Sequence, residues 1–220
     1  MIEIKKLTKY FSLPDSSKLG IFEGLDISIS SWQFVAVMWQ SGQGKTTLLN
    51  ILAGIDRDFI WEVHVLWKHL WAMSESEITT FRGKNISYVF QEYNLIDSLT
   101  VEENIELVLD INKIKRRYKT DEILTKVGLL SKKKSFPSEL SGWEKQRVAL
   151  ARSFIGETSI ILADEPTWSL DSKNAIWVME LLRQLWKDTS CTIIMITHSD
   201  EVASYAELHY KLIDKKLITQ

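Results

Sequence analysis

The segment Trp39-Gln40-Ser41-Gly42-Gln43-Gly44-Lys45-Thr46 decides the fold of this chain. It follows the apolar run Phe34–Met38, which predicts a buried strand, and precedes residues 47–53, which predict a helix ended by Gly54. This order is typical of a phosphate-binding loop with the pattern G-x-x-x-x-G-K-[ST]. Backbone N–H groups of such a loop surround phosphates, the lysine contacts the outer phosphates, and the hydroxyl binds Mg²⁺. Gly44, Lys45 and Thr46 match this pattern, but Trp39 occupies the position of its first glycine.

Composition narrows the class of protein. The 220 residues carry a formal net charge of −2, so we expect no nucleic-acid partner. The length suits one domain with a small subdomain. The single cysteine, Cys191, lies in an apolar run, which predicts a buried strand residue and a reducing compartment. There is no apolar stretch of about 18 residues and no signal-peptide core, so we expect a cytoplasmic protein without direct membrane insertion.

The N-terminal segment and the segment from about residue 100 to 135 predict different secondary structures. Alternation of apolar and polar residues at 2–4 and 25–29 predicts two antiparallel strands. The aromatic pair Tyr10 and Phe11 is equally compatible with stacking on an adenine base and with ordinary packing. From about residue 100 to 135 the pattern is helical, and its lysine and arginine clusters indicate a solvated face.

Two further segments carry groups suited to phosphate chemistry. Ser141 and Glu144 form a capping box that opens a helix, and Gly142 just inside it leaves room for an anion. Taken alone, this is also the pattern of any capped helix. The apolar run 160–163 ends in Asp164-Glu165-Pro166, and two carboxylates at a strand end fit a metal–phosphate site as well as a solvated turn.

The last part of the chain alternates helix and strand. Residues 175–186 predict a helix, and residues 192–197 predict a strand that ends at His198. This alternation predicts parallel strands joined by right-handed crossovers.

In this order the motifs resemble the nucleotide-binding subunit of ABC transporters over essentially the whole chain. The loop is similar to Walker A, Gln91 resembles the Q-loop, and residues 140–144 resemble the signature motif. Asp164 and Glu165 resemble Walker B with its catalytic glutamate, residues 169–171 the D-loop, and His198 the switch histidine. Locally, segments 82–86, 89–95 and 99–105 look most like the lipoprotein-release and macrolide-export branch.

The resemblance implies an α/β fold: a P-loop NTPase core with a mainly parallel sheet, an N-terminal antiparallel β subdomain and a helical insertion. Residues 1–220 would form a single ATPase domain, in which about 1–95 and 140–220 make the β subdomain and core, and about 96–139 the helical subdomain. ATP and Mg²⁺ would be its cofactors. Its partners would be a second, identical ATPase subunit packed head-to-tail and an integral membrane permease at the inner face of the membrane.

The resemblance also implies roles for individual residues. Glu165 would act as general base, while Gln91 and His198 sense the γ-phosphate and the attacking water. Thr46, Gln91 and, indirectly, Asp164 would hold the metal. Phe11 matches the family's adenine-stacking position better than Tyr10 does. The nucleotide-binding residues would be Phe11, Trp39, Ser41, Gly42, Gln43, Gly44, Lys45, Thr46, Thr47, Ser141, Gly142, Trp143, Glu144 and Asp171.

A second function within the same fold stays open. A division-type ABC ATPase, which signals through a membrane partner, would carry the same motifs. The transported substrate is not encoded here, because specificity lies in the permease.

Tryptophan is the anomaly of this sequence. It has 9 Trp and 9 Gly, whereas average usage of about 7% predicts about 15 glycines in this length. Trp39, Trp143 and Trp168 stand where the family has glycine. Trp32, Trp61 and Trp67 stand where turn glycines are expected. The sequence does not decide between tryptophan and glycine at Trp71, Trp177 and Trp186, and ordinary packing on a helix would explain the last two as tryptophan.

Glycine positions permit positive φ or close backbone approach, and an indole is the worst replacement there. We hypothesise that these positions are glycine in the organism, because the codon UGA is read as glycine in some genetic codes and as tryptophan in others. If the tryptophans are genuine, Trp39 would crowd the phosphate loop and Trp143 would obstruct the signature helix. The chain would then be a catalytically impaired nucleotide-binding module.

Overall fold

The computed structural model describes residues 1–14, 16–39, 44–213 and 215–219. Within these residues it contains two β-sheets and seven α-helices. The strands are β1 (Ile2–Ser12), β2 (Lys18–Ile29), β3 (Phe34–Met38), β4 (Ile60–Val65), β5 (Lys68–His69), β6 (Ile86–Val89), β7 (Ile160–Asp164), β8 (Thr192–Thr197), β9 (Leu208–Ile213) and β10 (Lys216–Thr219). The α-helices are α1 (Lys45–Leu52), α2 (Glu75–Asn85), α3 (Val101–Asn112), α4 (Thr120–Lys126), α5 (Gly142–Phe154), α6 (Ser172–Thr189) and α7 (Asp200–Ala203).

The smaller sheet is antiparallel and has the strand order β2-β1-β4-β5. Ile2 pairs with Ile29 and Ile4 with Ile27, so the alternating isoleucines of both strands share one buried face. The predicted antiparallel pair is therefore confirmed, with longer strands than the alternation alone indicated.

The larger sheet has the order β10-β9-β3-β8-β7-β6, and its strands from β9 to β6 run parallel. All residues of β3, β7 and β8 are buried, which matches their continuous apolar sequences, because helices cover both faces of a parallel sheet. The predicted strands 34–38 and 192–197 have the observed bounds.

Helices cover the sheet and fill the predicted insertion. Within residues 96–139 the regular α-helices are α3 and α4, and apolar side chains of both join α5 in one core cluster. Helix α6 is longer than the predicted 175–186, and α2, which the sequence did not reveal, begins at a capping box between Ser74 and Glu77. No helix among the described residues is both long and apolar enough to cross a membrane.

Three tryptophans have left-handed backbone conformations. Trp32, in the turn before β3, has φ 67°, and Trp61, at an irregular step of β4, has φ 83°. Trp67 has φ 63° and follows Leu66 with φ 51° in the two-residue loop between β4 and β5. Two positive φ values in a two-residue hairpin loop define a type I′ turn, whose second position favours glycine. All three indoles are exposed.

The tryptophans of α6 are packed differently. Trp177 and Trp186 lie against the core cluster around α3 and α5. The ring of Trp186 is 5.7 Å from that of Phe34, and its indole N–H donates to the carbonyl of Cys191 at 3.1 Å. Cys191 is itself buried directly before β8, and burial raises the pKa of its thiol.

Candidate active site

Four neighbouring strands of the larger sheet deliver the predicted catalytic groups to one edge. Strand β6 leads to Gln91, and β7 ends at Asp164, directly before Glu165. Strand β8 is followed by His198, and β3 leads to the loop before Lys45. The parallel register aligns these ends, since Val89 pairs with Ala163, and Asp164 with Ile196. In open parallel sheets, ligands bind at this edge.

Glu165 is the centre of the cluster. It is 3% exposed, and its Oε1 accepts from the Lys45 ammonium at 2.5 Å. Nδ1 of His198 lies 2.9 Å and 3.0 Å from the two carboxylate oxygens. A buried carboxylate is stable only with such partners, so Lys45 and His198 hold Glu165 in one orientation.

Asp164 and Thr46 form a second, adjoining pair. The Thr46 hydroxyl donates to Oδ2 of Asp164 at 3.4 Å. Burial, and then the nearby charge of Glu165, raise the pKa of the Asp164 carboxyl. A hydroxyl beside a carboxylate in an electronegative pocket is the oxygen donor set that Mg²⁺ prefers, so these residues fit the metal. Burial also raises the pKa of the neighbouring Tyr88, with Asp164 adding to the effect.

The signature residues lie at the start of α5. The backbone N–H and the hydroxyl of Ser141 donate to Oε2 of Glu144 at 2.8 Å and 2.7 Å, and these bonds lower the pKa of Glu144. Gly142 lies close to the hydroxyl of Tyr93. Among the described residues, no hydrogen bond or ion pair joins 141–144 to Lys45, Thr46, Asp164 or Glu165.

Three other residues that were predicted to bind the nucleotide lie on three different helices or strands. Asp171 caps α6, accepting from the N–H of Asn174 at 3.0 Å, and this bond and the one from the Asn174 amide lower its pKa. Phe11 is exposed at the end of β1, with the ammonium of the buried Lys9 4.9 Å from its ring centre. Thr47 is buried in the first turn of α1.

The tryptophans at motif positions have three different surroundings. Trp39 is 3% exposed and packs edge-on against Phe22 at 5.6 Å, so its indole lies in the core under the smaller sheet. Its buried Nε1 has no hydrogen-bond partner in the part of the chain that the structure describes. The Arg147 guanidinium lies 3.7 Å from the ring centre of Trp143. Trp168 is exposed, with its ring 5.4 Å from that of His198.

Ser41, Gly42 and Gln43, the middle of the predicted phosphate loop, lie outside the described residues. Gly44, which follows them, has φ 93°, a conformation that glycine adopts without strain.

Sequence reasoning missed a residue that links two motifs. The side chain of Gln146, buried in α5, donates to the carbonyl of Pro166 at 2.6 Å. It thereby ties the signature helix to the segment that follows Glu165. A polar residue on the buried face of an amphipathic helix was the available signal. Tyr93 similarly bonds the D-loop residue Ser169 through their hydroxyls, a contact that no sequence pattern indicated.

Comparison with known proteins gives one consistent result. Residues 22–168 match the family model described as ABC transporter. The chain is 42% identical to the bacitracin export ATP-binding protein BceA of Halalkalibacterium halodurans, over 93% of this chain and 82% of that protein. It is 34% identical to the lipoprotein-releasing system ATP-binding protein LolD 2 of Chlorobaculum tepidum, over 99% of this chain and 91% of that protein.

A solved structure shows the same likeness over the whole chain. It is titled the dimeric structure of a post-hydrolysis state of the ATP-binding cassette MJ0796 bound to ADP and Pi. The TM-score is 0.87 at 32% identity, covering 100% of this chain and 98% of that one. The predicted fold class is confirmed, as is the predicted lipoprotein-release and macrolide-export branch.

Proposed function

Since the chain belongs to the ABC transporter family as an ATP-hydrolysing subunit that drives a membrane permease, we propose that Glu165 is its general base. The observation that carries this proposal is the grouping of Lys45, Thr46, Asp164 and His198 around Glu165 at one sheet edge. A buried carboxylate, held by a lysine that can move to a phosphate, is suited to activating water.

The ammonium of Lys45 and the carboxylate of Glu165 form an ion pair. Phosphate oxygens compete for the lysine, because charge-assisted bonds to phosphate are as strong as those to a carboxylate. Once Lys45 moves to the phosphates, Glu165 can accept a proton from water, while His198 keeps the carboxylate oriented. Gln91, at the end of the neighbouring strand, would contact the metal and the water. Positioning and electrostatics supply most of the rate in such transfers.

Thr46 and Asp164 would hold Mg²⁺, with the aspartate acting through a water molecule. When bound, the ion neutralises charge on the transferred phosphoryl group. Phe11 would offer a ring to the adenine, and the phosphates would lie beside Gly44 and Lys45.

Two copies of the chain would complete one another's sites. Ser141 and Gly142 begin a 13-residue helix, whose N-terminus attracts anions, yet the chain's own Lys45 cluster does not contact it. A head-to-tail homodimer brings this N-terminus to the phosphates held by the partner subunit. The dimeric form of the similar cassette supports this arrangement.

The permease would dock on an apolar groove beside Gln91. The groove has a volume of about 300 Å³ and lies between β6 and α3, at the junction of the core with the helical subdomain proposed for residues 96–139. Tyr88 and Phe90 stack at 4.2 Å along one wall, and the exposed Ile96 and Ile111 lie on the other side. We assign it to a cytoplasmic helix of the permease, which would place the subunit at the inner face of the membrane.

We further propose that the permease exports or extrudes a peptide or a lipoprotein. The relatives named for bacitracin export and for lipoprotein release support this class of substrate.

The Glu165→Gln variant tests the catalytic assignment. We expect its ATPase rate to fall about 10²- to 10⁴-fold, because the amide keeps the shape of the side chain but cannot take the proton. ATP binding should persist, so ATP should convert the variant to a dimer in light scattering. His209→Gln, a half-buried histidine on β9, is the control. Unchanged hydrolysis by Glu165→Gln would refute the assignment.

The impaired-module function requires genuine tryptophans, but the buried Nε1 of Trp39 has no hydrogen-bond partner among the described residues, which disfavours an indole there. We propose instead that residues 39, 143 and 168 are glycine in the natural protein. A buried indole N–H without a partner costs about 1–3 kcal/mol, which glycine at this position avoids.

Codons and activity together test this proposal. A UGG codon at any of these three positions would refute it for that position. In an ATPase assay, the Trp39→Gly, Trp143→Gly, Trp168→Gly variant should exceed the chain as written. Equal activity would eliminate the steric argument.

A further inference from the structure

A cluster of metal-binding side chains lies on the β4–β5 hairpin, away from the ATP site. His64 and His69 are a cross-strand pair, and Glu62 lies two residues before His64 on the same face of the strand. Each residue presents one donor atom, and the three donor atoms all lie within 4.8 Å of one another. We propose that this hairpin triad, Glu62, His64 and His69, binds one divalent transition cation such as Zn²⁺.

The side chains are already gathered on one side of the hairpin. The two imidazole rings lie 4.2 Å apart, and Oε2 of Glu62 is 3.7 Å from Nε2 of His64. Ligands around a zinc ion lie about 2.0–2.2 Å from the metal, so small rotamer changes bring the three atoms to coordinating positions. The type I′ turn at Leu66 and Trp67 fixes the strand register that pairs the histidines.

The donor set selects the class of cation. Two imidazoles and one carboxylate suit Zn²⁺ and its neighbours, whereas Mg²⁺ prefers oxygen donors. Nε2 of His69 accepts the indole N–H of Trp71 at 3.1 Å, so a cation bound at this nitrogen would replace that hydrogen bond. Both histidines are half-buried and Glu62 is exposed, which leaves a coordination position open to water.

This cluster shares no residue with the proposed ATP site, and it stabilises a different part of the fold. A bound cation would join β5 to β4 at the edge of the smaller sheet. Without a cation, these side chains would contribute the stacking of the two histidine rings, the hydrogen bond from Trp71 to His69 and the contact between Glu62 and His64.

The experiment is a calorimetric titration of the full nucleotide-free chain with ZnCl₂, and separately with MgCl₂. We expect one zinc site per chain that is absent from the His64→Ala, His69→Ala double variant. Each single variant should bind Zn²⁺ at least about tenfold more weakly, because one of three protein ligands is lost. His209→Ala, a half-buried histidine on another strand, is the matched control and should bind as the parent does.

A second measurement covers the case in which a variant alters folding. Zn²⁺ should raise the melting temperature of the parent and of His209→Ala, but not that of the double variant. Circular dichroism confirms that all variants are folded before titration. The proposal is overturned if the double variant binds the same number of zinc ions as the parent, or if no zinc site is found.

Discussion

The turns of this molecule and its helix α6 both contain tryptophan, but in opposite circumstances. Trp32, Trp61 and Trp67 are exposed and have φ between 63° and 83°. Trp177 and Trp186 are helical and lie against the core. In the first group the backbone has a conformation that favours glycine, and the indole is largely exposed to solvent. In the second group the indole fills space and, at Trp186, also makes a hydrogen bond.

The tryptophans in the turns and those in α6 therefore need separate explanations. A left-handed conformation costs an L-residue about 1–2 kcal/mol, and only glycine avoids this cost. Trp61 has the largest positive φ of any non-glycine residue among those described. The backbone therefore supports glycine at the turn positions, whereas packing supports a genuine tryptophan at 186.

The largest effect is expected at the packed site. Trp186→Gly should lower the free energy of unfolding by about 2–3 kcal/mol through loss of the half-buried ring, with about 1 kcal/mol more for glycine in a helix. Urea denaturation measures it. An unchanged or increased stability would place Trp186 in the same group as the turn tryptophans and would contradict a stabilising role for its packing.

A smaller loss should follow when only the polar contact at this site is removed. Trp186→Phe keeps an aromatic ring but removes the N–H that donates to Cys191. We expect a loss of about 1 kcal/mol, the usual net value of one hydrogen bond, plus any cavity term. If Trp186→Phe is as damaging as Trp186→Gly, the hydrogen bond rather than packing explains the site.

The opposite sign is expected in the turn. Trp67→Gly should raise the free energy of unfolding by about 0.5–1 kcal/mol, because relief of backbone strain exceeds the entropic cost of glycine. Trp67→Ala is the matched control: it removes the indole but keeps Cβ, and so keeps the strain. Equal gains from alanine and glycine would show that the exposed indole, not the torsion angle, is unfavourable.

The smallest effect is expected at a position that belongs to neither group. Trp71 is exposed in a short turn of 3₁₀ helix and does not have a positive φ. Trp71→Gly should change the free energy of unfolding by less than about 0.5 kcal/mol, as for most surface substitutions. A gain as large as that of Trp67→Gly would show that torsion angle does not separate the sites.

Strand positions were the most predictable part of the fold. The run 34–38 is apolar throughout, and the run 192–197 is apolar between its terminal threonines, so their bounds follow from composition. Helix α2 was missed because its exposed face is polar and its apolar pattern is weak, although Ser74 and Glu77 carried a capping signal.

The candidate site was predictable as a set of motifs but not as a set of contacts. Asp164, Glu165 and His198 were predicted to lie close together because they stand at the ends of strands, and parallel strands place their carboxyl ends together. The bond between Lys45 and Glu165 joins residues 120 positions apart, so no local pattern encodes it. Trp39 was expected to crowd the phosphate loop, but its indole turns into the core against Phe22.

The left-handed tryptophans have a consequence beyond this chain. A codon assigned to the wrong amino acid changes the letters of a sequence, but the neighbouring residues still dictate the path of the backbone. Glycine leaves a distinctive mark on that path, because it alone enters the positive-φ region freely. The positive φ values of Trp32, Trp61 and Trp67 therefore support the hypothesis that these positions are encoded as glycine, and backbone torsion angles become a check on how a gene was translated.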